Sequence, residues 1–291
     1  MKYLDDFILD RINSKKDRLE SMLLDKKSLK KIQWDILVEY VHISNKIEGS
    51  SLSIEETREI LDTSHDILGQ PTYFQHLSIN HANAFEFIRQ NAKNEITNQM
   101  VKEIHTVVMK NIDKEAGKYR NKNNINDRLK GFLSKLNISP DYHPIEKSAL
   151  IQGFFHQIRP FNYGTGTTSR LLSKWMLNQN GYIFGLPLNP YEVKYYRKCA
   201  EKAGKGTIYP LVNMMTMCVE ESLDKLINQV KSLNIIPIET AMRNNNLNPA
   251  QMLESIKRGE FKAFKKDGSV YVTDVPVDQL THGAQIAEEF Q

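Results

Sequence analysis

The sequence predicts a mainly α-helical protein followed by a small α+β module at its C-terminus, and three observations carry that expectation. Apolar residues recur at helical spacing in one segment after another between Tyr3 and Leu233. Beyond Leu233 the character changes to two short helical stretches and then to alternating residues on either side of Asp267-Gly268, a strong hairpin signal. The 291 residues, 40% hydrophobic and 25% charged, have the make-up of an ordinary globular protein, long enough for one large domain or a medium domain with an appendage. A formal charge of +4 is modest for this length, so composition alone argues for neither nucleic acid nor an anionic membrane. Cys199 and Cys218 lie far apart without a CxxC spacing, which removes a disulfide framework and a zinc site and leaves two buried small apolar residues of a reducing cytosol. The N-terminal stretch has no uninterrupted apolar run, and nothing approaches the length of a bilayer span, so a cytoplasmic location with no membrane is the expectation.

Taken in order, Tyr3 to Leu24 reads as an amphipathic helix through Leu4, Phe7, Ile8, Ile12, Leu19 and Leu23. A second runs from Leu29 to about Ile43, with Ile32, Ile36, Tyr40 and Ile43 on one face, into Ser44-Asn45-Lys46-Ile47-Glu48-Gly49. Ser53-Ile54-Glu55-Glu56 forms a capping box for a short helix to about Leu61, Gly69-Gln70-Pro71 breaks the pattern, and Tyr73 to Asn91 resumes it. His76 and His81 on that segment lack a companion carboxylate at metal spacing and read as surface or satisfied core histidines. Thr97 caps a helix whose Met100, Ile104 and Val107 or Val108 face inward, and Ala116-Gly117-Lys118-Tyr119-Arg120 follows it. The polar span from Asn121 to Asp141 shows no clear hairpin. His143-Pro144 then opens a central helix, with apolar patterns at Ala149 to Ile158 and at Ser169 to Leu177 facing each other across a turn holding Gly164 and Gly166. Asn180-Gly181-Tyr182 is a helix stop, and helices follow from Tyr191 to Ala200 and from Tyr209 to about Leu233.

The glycine turn is where chemistry concentrates. A glycine pair there leaves N–H groups unblocked just where a helix begins, the usual geometry for cradling an anion, and Arg170 one helical turn on can reach back with a planar, permanently charged fork. A tight helix connection without ligand is the bland alternative. The stretch Arg159-Pro160-Phe161-Asn162-Tyr163-Gly164-Thr165-Gly166-Thr167-Thr168-Ser169-Arg170 resembles the signature loop of the Fic (Fido) family, H-P-F-x-[D/E]-G-N-G-R-x-x-R. Ser44 to Gly49 resembles that family's inhibitory motif, [S/T]-x-x-x-E-[G/N], and the 116–120 segment its A-G-x-[YF]-R. The resemblance covers about 43–226 and implies a Fic-like helical bundle: 1–95 as N-terminal helices with the inhibitory-like motif, 96–233 as the core, 234–291 as the C-terminal module.

What the resemblance implies about activity is AMP transfer from ATP to protein hydroxyls, with ATP as candidate ligand and a protein as target. Four chemical positions differ, however. The base is replaced by Arg159, the metal-binding acid by Tyr163, the asparagine by Thr165 and the first arginine by Thr167, while Gly164, Gly166 and Arg170 match. The expectation is therefore a catalytically inactive member, without Mg²⁺, that binds a nucleotide or other phosphate through Gly164, Thr165, Gly166, Thr167 and Arg170, with Glu48 pairing to Arg170 as regulator. A divergent nucleotidyl- or phosphotransferase with another base is one alternative; His156 is the nearby histidine, but its offset from Arg159 points it elsewhere on the helix. A transcriptional regulator is the other, because the C-terminal pattern of helix, turn, helix and hairpin resembles a winged helix-turn-helix. Lys257, Arg258, Lys262, Lys265 and Lys266 fall where DNA phosphates would be met. Against DNA, the chain from Ile235 onward holds six Lys/Arg and eight Asp/Glu, which leaves packing or homo-oligomerisation as its role instead.

Overall fold

A computed structural model describes residues 3–121, 124–139, 141–182, 190–229, 235–261, 263–266, 269–273, 276 and 280–282. Among them are twelve helices and five short strands, the mainly helical fold that the sequence predicts. The helices are α1 Asp6–Ser21, α2 Lys26–Glu48, α3 Ile54–Thr63, α4 Thr72–Gln90, α5 Asn98–Val108, α6 Ile125–Ile138, α7 Pro144–Ile158, α8 Thr165–Asn178, α9 Pro190–Gly204, α10 Tyr209–Gln229, α11 Ile238–Asn244 and α12 Pro249–Lys257. The strands are β1 Leu23–Asp25, β2 Ile235–Pro237, β3 Ala263–Lys266, β4 Ser269–Thr273 and β5 Leu280–His282.

At the centre, α7 packs against both α8 and α9. Every residue of α8 from Thr167 to Asn178 is buried, so this helix has neighbours all round, and its polar side chains are bonded inside the core. Ser148 Oγ donates to Ser173 O at 3.0 Å and Ser173 Oγ returns a bond to Ser148 O at 2.9 Å. One continuous hydrophobic core runs from Leu4 to Ile227, with Trp175, Phe155 and Tyr196 among its largest members. The chain start is tied into it through buried Glu146, which accepts from the N–H groups of Tyr3, of Leu4 at 3.2 Å and of His143 at 2.8 Å.

Local expectations meet the structure closely at the caps. Ser53 and Glu56 form the capping box of α3, and Thr97 caps α5. The second helix runs five residues further than periodicity suggested, through Ser44 to Glu48, before Gly49 turns it at φ 101°. The span after Asn121 holds no strand among its described residues; it holds α6, whose Ile125, Leu129, Leu133 and Leu136 are buried at helical spacing. Beyond α10, strands run in the order β2-β4-β3, all antiparallel, beside α11 and α12. A small separate core of Ala241, Met252, Phe261 and Val272 lies there. The hairpin starts two residues later than the alternation from Phe261 suggested, with Lys266 opposite Ser269; Asp267, Gly268 and Lys262 lie outside the described residues, as do the side chains of Lys265 and Lys266. The last strand, β5, pairs with β1, a long-range closure that no local pattern announced.

Candidate functional site

The loop between α7 and α8 is shaped by three backbone decisions. Arg159 ends α7 in the left-handed region, φ 43°, with its N–H bonded to Phe155 O at 2.8 Å. Gly164 opens α8 at φ 66°, where an added Cβ would lie 2.6 Å from Met109 Sδ, so conformation and space both require glycine. Phe161, between them, is buried and stacks on His105 with ring centroids 3.6 Å apart.

His105 is the loop's anchor. Its Nδ1 accepts the Gly117 N–H at 2.8 Å, which fixes the tautomer, and its Nε2–H donates to Tyr163 O at 3.0 Å. Burial pushes its pKa down, in keeping with a neutral ring. From the same segment as Gly117, Arg120 donates its N–H to Pro160 O at 3.0 Å and Nη2 to Ile158 O at 2.9 Å, while Tyr119 lies 5.1 Å from the Phe161 ring. The 116–120 stretch is therefore a clamp on the loop.

Above the first turn of α8 lies the end of α2. Glu48 Oε1 accepts from Arg170 Nη2 at 2.7 Å, and an added Cβ on Gly166 would come within 2.7 Å of the same oxygen. A carboxylate thus rests against a helix N-terminus, where unpaired N–H groups and the helix dipole favour negative charge. Arg170 is 3% exposed. Its Nε donates to Ser44 Oγ at 3.0 Å, and its Nη2 also to Ser44 O at 3.2 Å and to Thr167 Oγ1 at 3.3 Å. Ser44 Oγ–H donates in turn to His81 Nε2 at 3.2 Å, and His81 Nδ1–H donates to Leu77 O at 2.9 Å, so the bonds run in one direction from cation to carbonyl. Burial first, then the Arg170 charge, pushes the His81 pKa down to about 4, against the pull of Leu77 O and Glu48. For Glu48, burial raises the pKa, but the Arg170 charge and hydrogen bond outweigh it and the net shift is downward.

These groups open on a cleft of about 420 Å³. Glu48, Arg159, Tyr163, Gly164, Thr165, Gly166 and Arg170 all line it, whereas Thr167 is buried beneath, turned toward Arg170. Arg159 and Tyr163, at the base and acid positions of the resemblance, are both exposed. His156 also lines the cleft, which corrects the expectation that its offset points it away: the left-handed turn at Arg159 folds the loop back over the last turn of α7. Three contributors escaped the sequence. His105 could have been found, since Val101, His105 and Val108 share a buried face at spacing i, i+4, i+7. The Ser44–His81 link and the approach of Arg197 on α9 left no local signal.

A helical bundle in which one helix start is presented to a cleft, and a glutamate from an earlier helix sits on it, defines the class of this protein. Residues 95–177 match the Fic/DOC family model, and over that segment the chain is similar to a Fic domain. It is 27% identical over 250 residues to a protein adenylyltransferase Fic of Aedes aegypti, over 77% of this chain and 48% of the relative. It is 26% identical over 247 residues to that of Nematostella vectensis, over 77% and 56%. It spans about half the length of such curated relatives. In fold it is similar to a Fic-domain-containing signaling protein from Bacteroides thetaiotaomicron (TM-score 0.67, 20% identity, 77% of this chain and 97% of that one). Fic-1 of C. elegans has a TM-score of 0.70 at 23% identity, over 76% and 71%.

Proposed function

We propose that this Fic-like protein binds a nucleotide or another phosphate in the cleft and does not transfer AMP to a protein hydroxyl at a useful rate. The observation that carries the reading is the guanidinium of Arg159 at the position of the general base. Attack on a phosphate by a hydroxyl needs a proton acceptor, worth about 10²–10⁴-fold, and a guanidinium has donors only. The neighbouring roles are equally empty. Tyr163 offers a phenol where Mg²⁺ asks for a hard carboxylate, so this donor set does not fit the metal. Thr167 takes away a cation that would offset phosphate charge. Anion binding, in contrast, retains its parts: Gly164, Thr165 and Gly166 at a helix start with Arg170 behind them, already holding the Glu48 carboxylate.

Incubating the wild type and Glu48→Gly with labelled ATP, Mg²⁺ and a cell lysate is the test. No labelled bands are expected; bands, self-labelling included, that disappear in an Arg170→Ala control would instead support a divergent transferase, with His156 in the cleft as the base to examine. Calorimetry with ATP, with and without Mg²⁺, measures the binding itself, and the affinity is expected not to depend on the metal.

A second reading, DNA binding by the C-terminal module, is favoured by one observation. Helices α11 and α12, joined through 245–248, stand against the three-stranded antiparallel sheet β2-β4-β3, and Lys257 and Arg258 at the end of α12 are exposed. This is the arrangement expected of a winged helix-turn-helix that meets phosphates with its second helix and hairpin.

A further inference from the structure

We propose that Arg197 is a second latch on the inhibitory-like helix, holding the last turn of α2 in place so that Glu48 covers the cleft. The inference rests on the reading of the cleft as an anion site. It starts from how α2 ends. A helix leaves its last carbonyls without intrahelical donors, and they carry the negative end of the helix dipole. Two bonds of the chain itself finish this end: Gly49 N–H to Lys46 O at 3.0 Å, and Ser50 N–H to Asn45 O at 2.9 Å. The carbonyl of Ile47 is not reached by either.

Arg197, from the middle of α9, supplies the missing donor. Its Nη2 donates to Ile47 O and, at 3.0 Å, to Lys46 O, so one guanidinium group spans two successive carbonyls next to Glu48. Its charge also helps to keep Glu48 ionised, as a small contributor behind Arg170. The base from which Arg197 reaches is rigid. The preceding residue, Tyr196, is 1% exposed and donates its hydroxyl to buried Gln152 of α7, which fixes this turn of α9 against the central helix. Arg197 itself is exposed on the wall of the cleft.

The position of Glu48 is therefore determined from two sides. Arg170 holds the carboxylate from α8, and Arg197 holds the backbone on which it is mounted from α9. Both arginines line the same cleft. A polyanion entering it has to displace the Glu48 carboxylate from Arg170, and the hold of Arg197 on the turn that carries Glu48 opposes that displacement. The latch thus couples ligand entry to release of the helix end.

The test compares wild type, Arg197→Leu, Arg197→Lys, Glu48→Gly and the Glu48→Gly/Arg197→Leu double variant as full chains. In the absence of ligand, hydrogen exchange at the Gly49 and Ser50 amides is expected to quicken in Arg197→Leu, with Arg197→Lys closer to wild type. In calorimetry with ATP, Arg197→Leu is expected to bind about fivefold tighter than wild type, the factor one net hydrogen bond is worth. On the Glu48→Gly background the same substitution is expected to change nothing, because the latch acts only through Glu48. Unchanged exchange overturns the proposal. So does ATP binding that weakens by the same factor in both backgrounds, which would make Arg197 a plain ligand contact, or affinity that stays at the wild-type value although Glu48→Gly binds. If Glu48→Gly binds no ATP at all, the anion-site reading fails, and the exchange measurement alone decides the latch.

Discussion

Arg170 is the residue on which the site turns. It is fully enclosed, and its donors reach Ser44 and Thr167 as well as Glu48, so it stays fixed when any one partner changes. Replacing Glu48 with glycine is expected to cost about 1–2 kcal/mol of stability, less than a fully buried pair because Glu48 is about one third exposed. The same change should tighten ATP binding roughly tenfold by removing the competing carboxylate. Urea unfolding and calorimetry check the two effects. The acid sensitivity of this network follows from His81. Its folded pKa of about 4 lies below the ordinary 6.5, so as pH falls through 6.5 the unfolded chain takes up the proton first. Stability is fully present above 6.5 and is lost toward pH 4, by at most about 3 kcal/mol for this histidine. The Glu48 pair, with its depressed carboxylate, gives way only at lower pH still, below 4.5. A pH series of unfolding curves, with His81→Gln removing the upper part of the decline, measures this.

At the scale of elements, the signature loop is held from below by α5 and the 116–120 clamp in addition to its own turns at Arg159 and Gly164. His105→Leu leaves the Gly117 N–H and the Tyr163 carbonyl without their partner and should destabilise by about 3 kcal/mol, since each orphaned group costs about 1–3. ATP affinity should fall with it, because the loop carries the helix start. Gly117→Ala tests the clamp from its other side. Gly117 has φ 79°, and an added Cβ would run into Thr106 Oγ1 and lie 3.2 Å from Lys102 O, so a loss of about 2 kcal/mol is expected in urea unfolding. The helix α2 plays two parts at once. Gly49 ends it as a left-handed residue past the cap, and Glu48 reaches Arg170, so one hexapeptide both closes the helix and supplies the ion pair.

Across the whole molecule, two cores are separate: one from Leu4 to Ile227, the other around Met252 and Val272. The first brings the early helices and the signature loop into one packed unit, which is why a glutamate at 48 can reach the first turn of α8 at 166–170. The second belongs to the C-terminal module, for which DNA binding is the second proposed reading. Gel-shift titration of the full chain at low salt is expected to show a duplex complex that weakens as salt rises, and Lys257→Glu with Arg258→Glu should abolish it. No shift of any duplex at protein concentrations well above those typical of nonspecific binding returns the module to packing or self-association. No described helix is long and apolar enough to cross a membrane.

By itself the sequence determined the helical class, the caps at Ser53 and Thr97 and the glycine turn at 164–166, because each is written in local spacing or residue type, whereas the pairing of Glu48 with Arg170 was expected only from the resemblance of two motifs to those of a family. The helix at 125–138 was equally local, with Ile125, Leu129, Leu133 and Leu136 in register, yet its polar composition hid it. Only the tertiary structure decided the rest. His105 under the loop, Ser44 between Arg170 and His81, His156 turned into the cleft, Arg197 on the carbonyls of α2 and the pairing of β5 with β1 all join residues far apart in the chain. Such contacts are chosen by packing. A periodic pattern tells which face of a helix is buried, but not which partner the fold will bring against it.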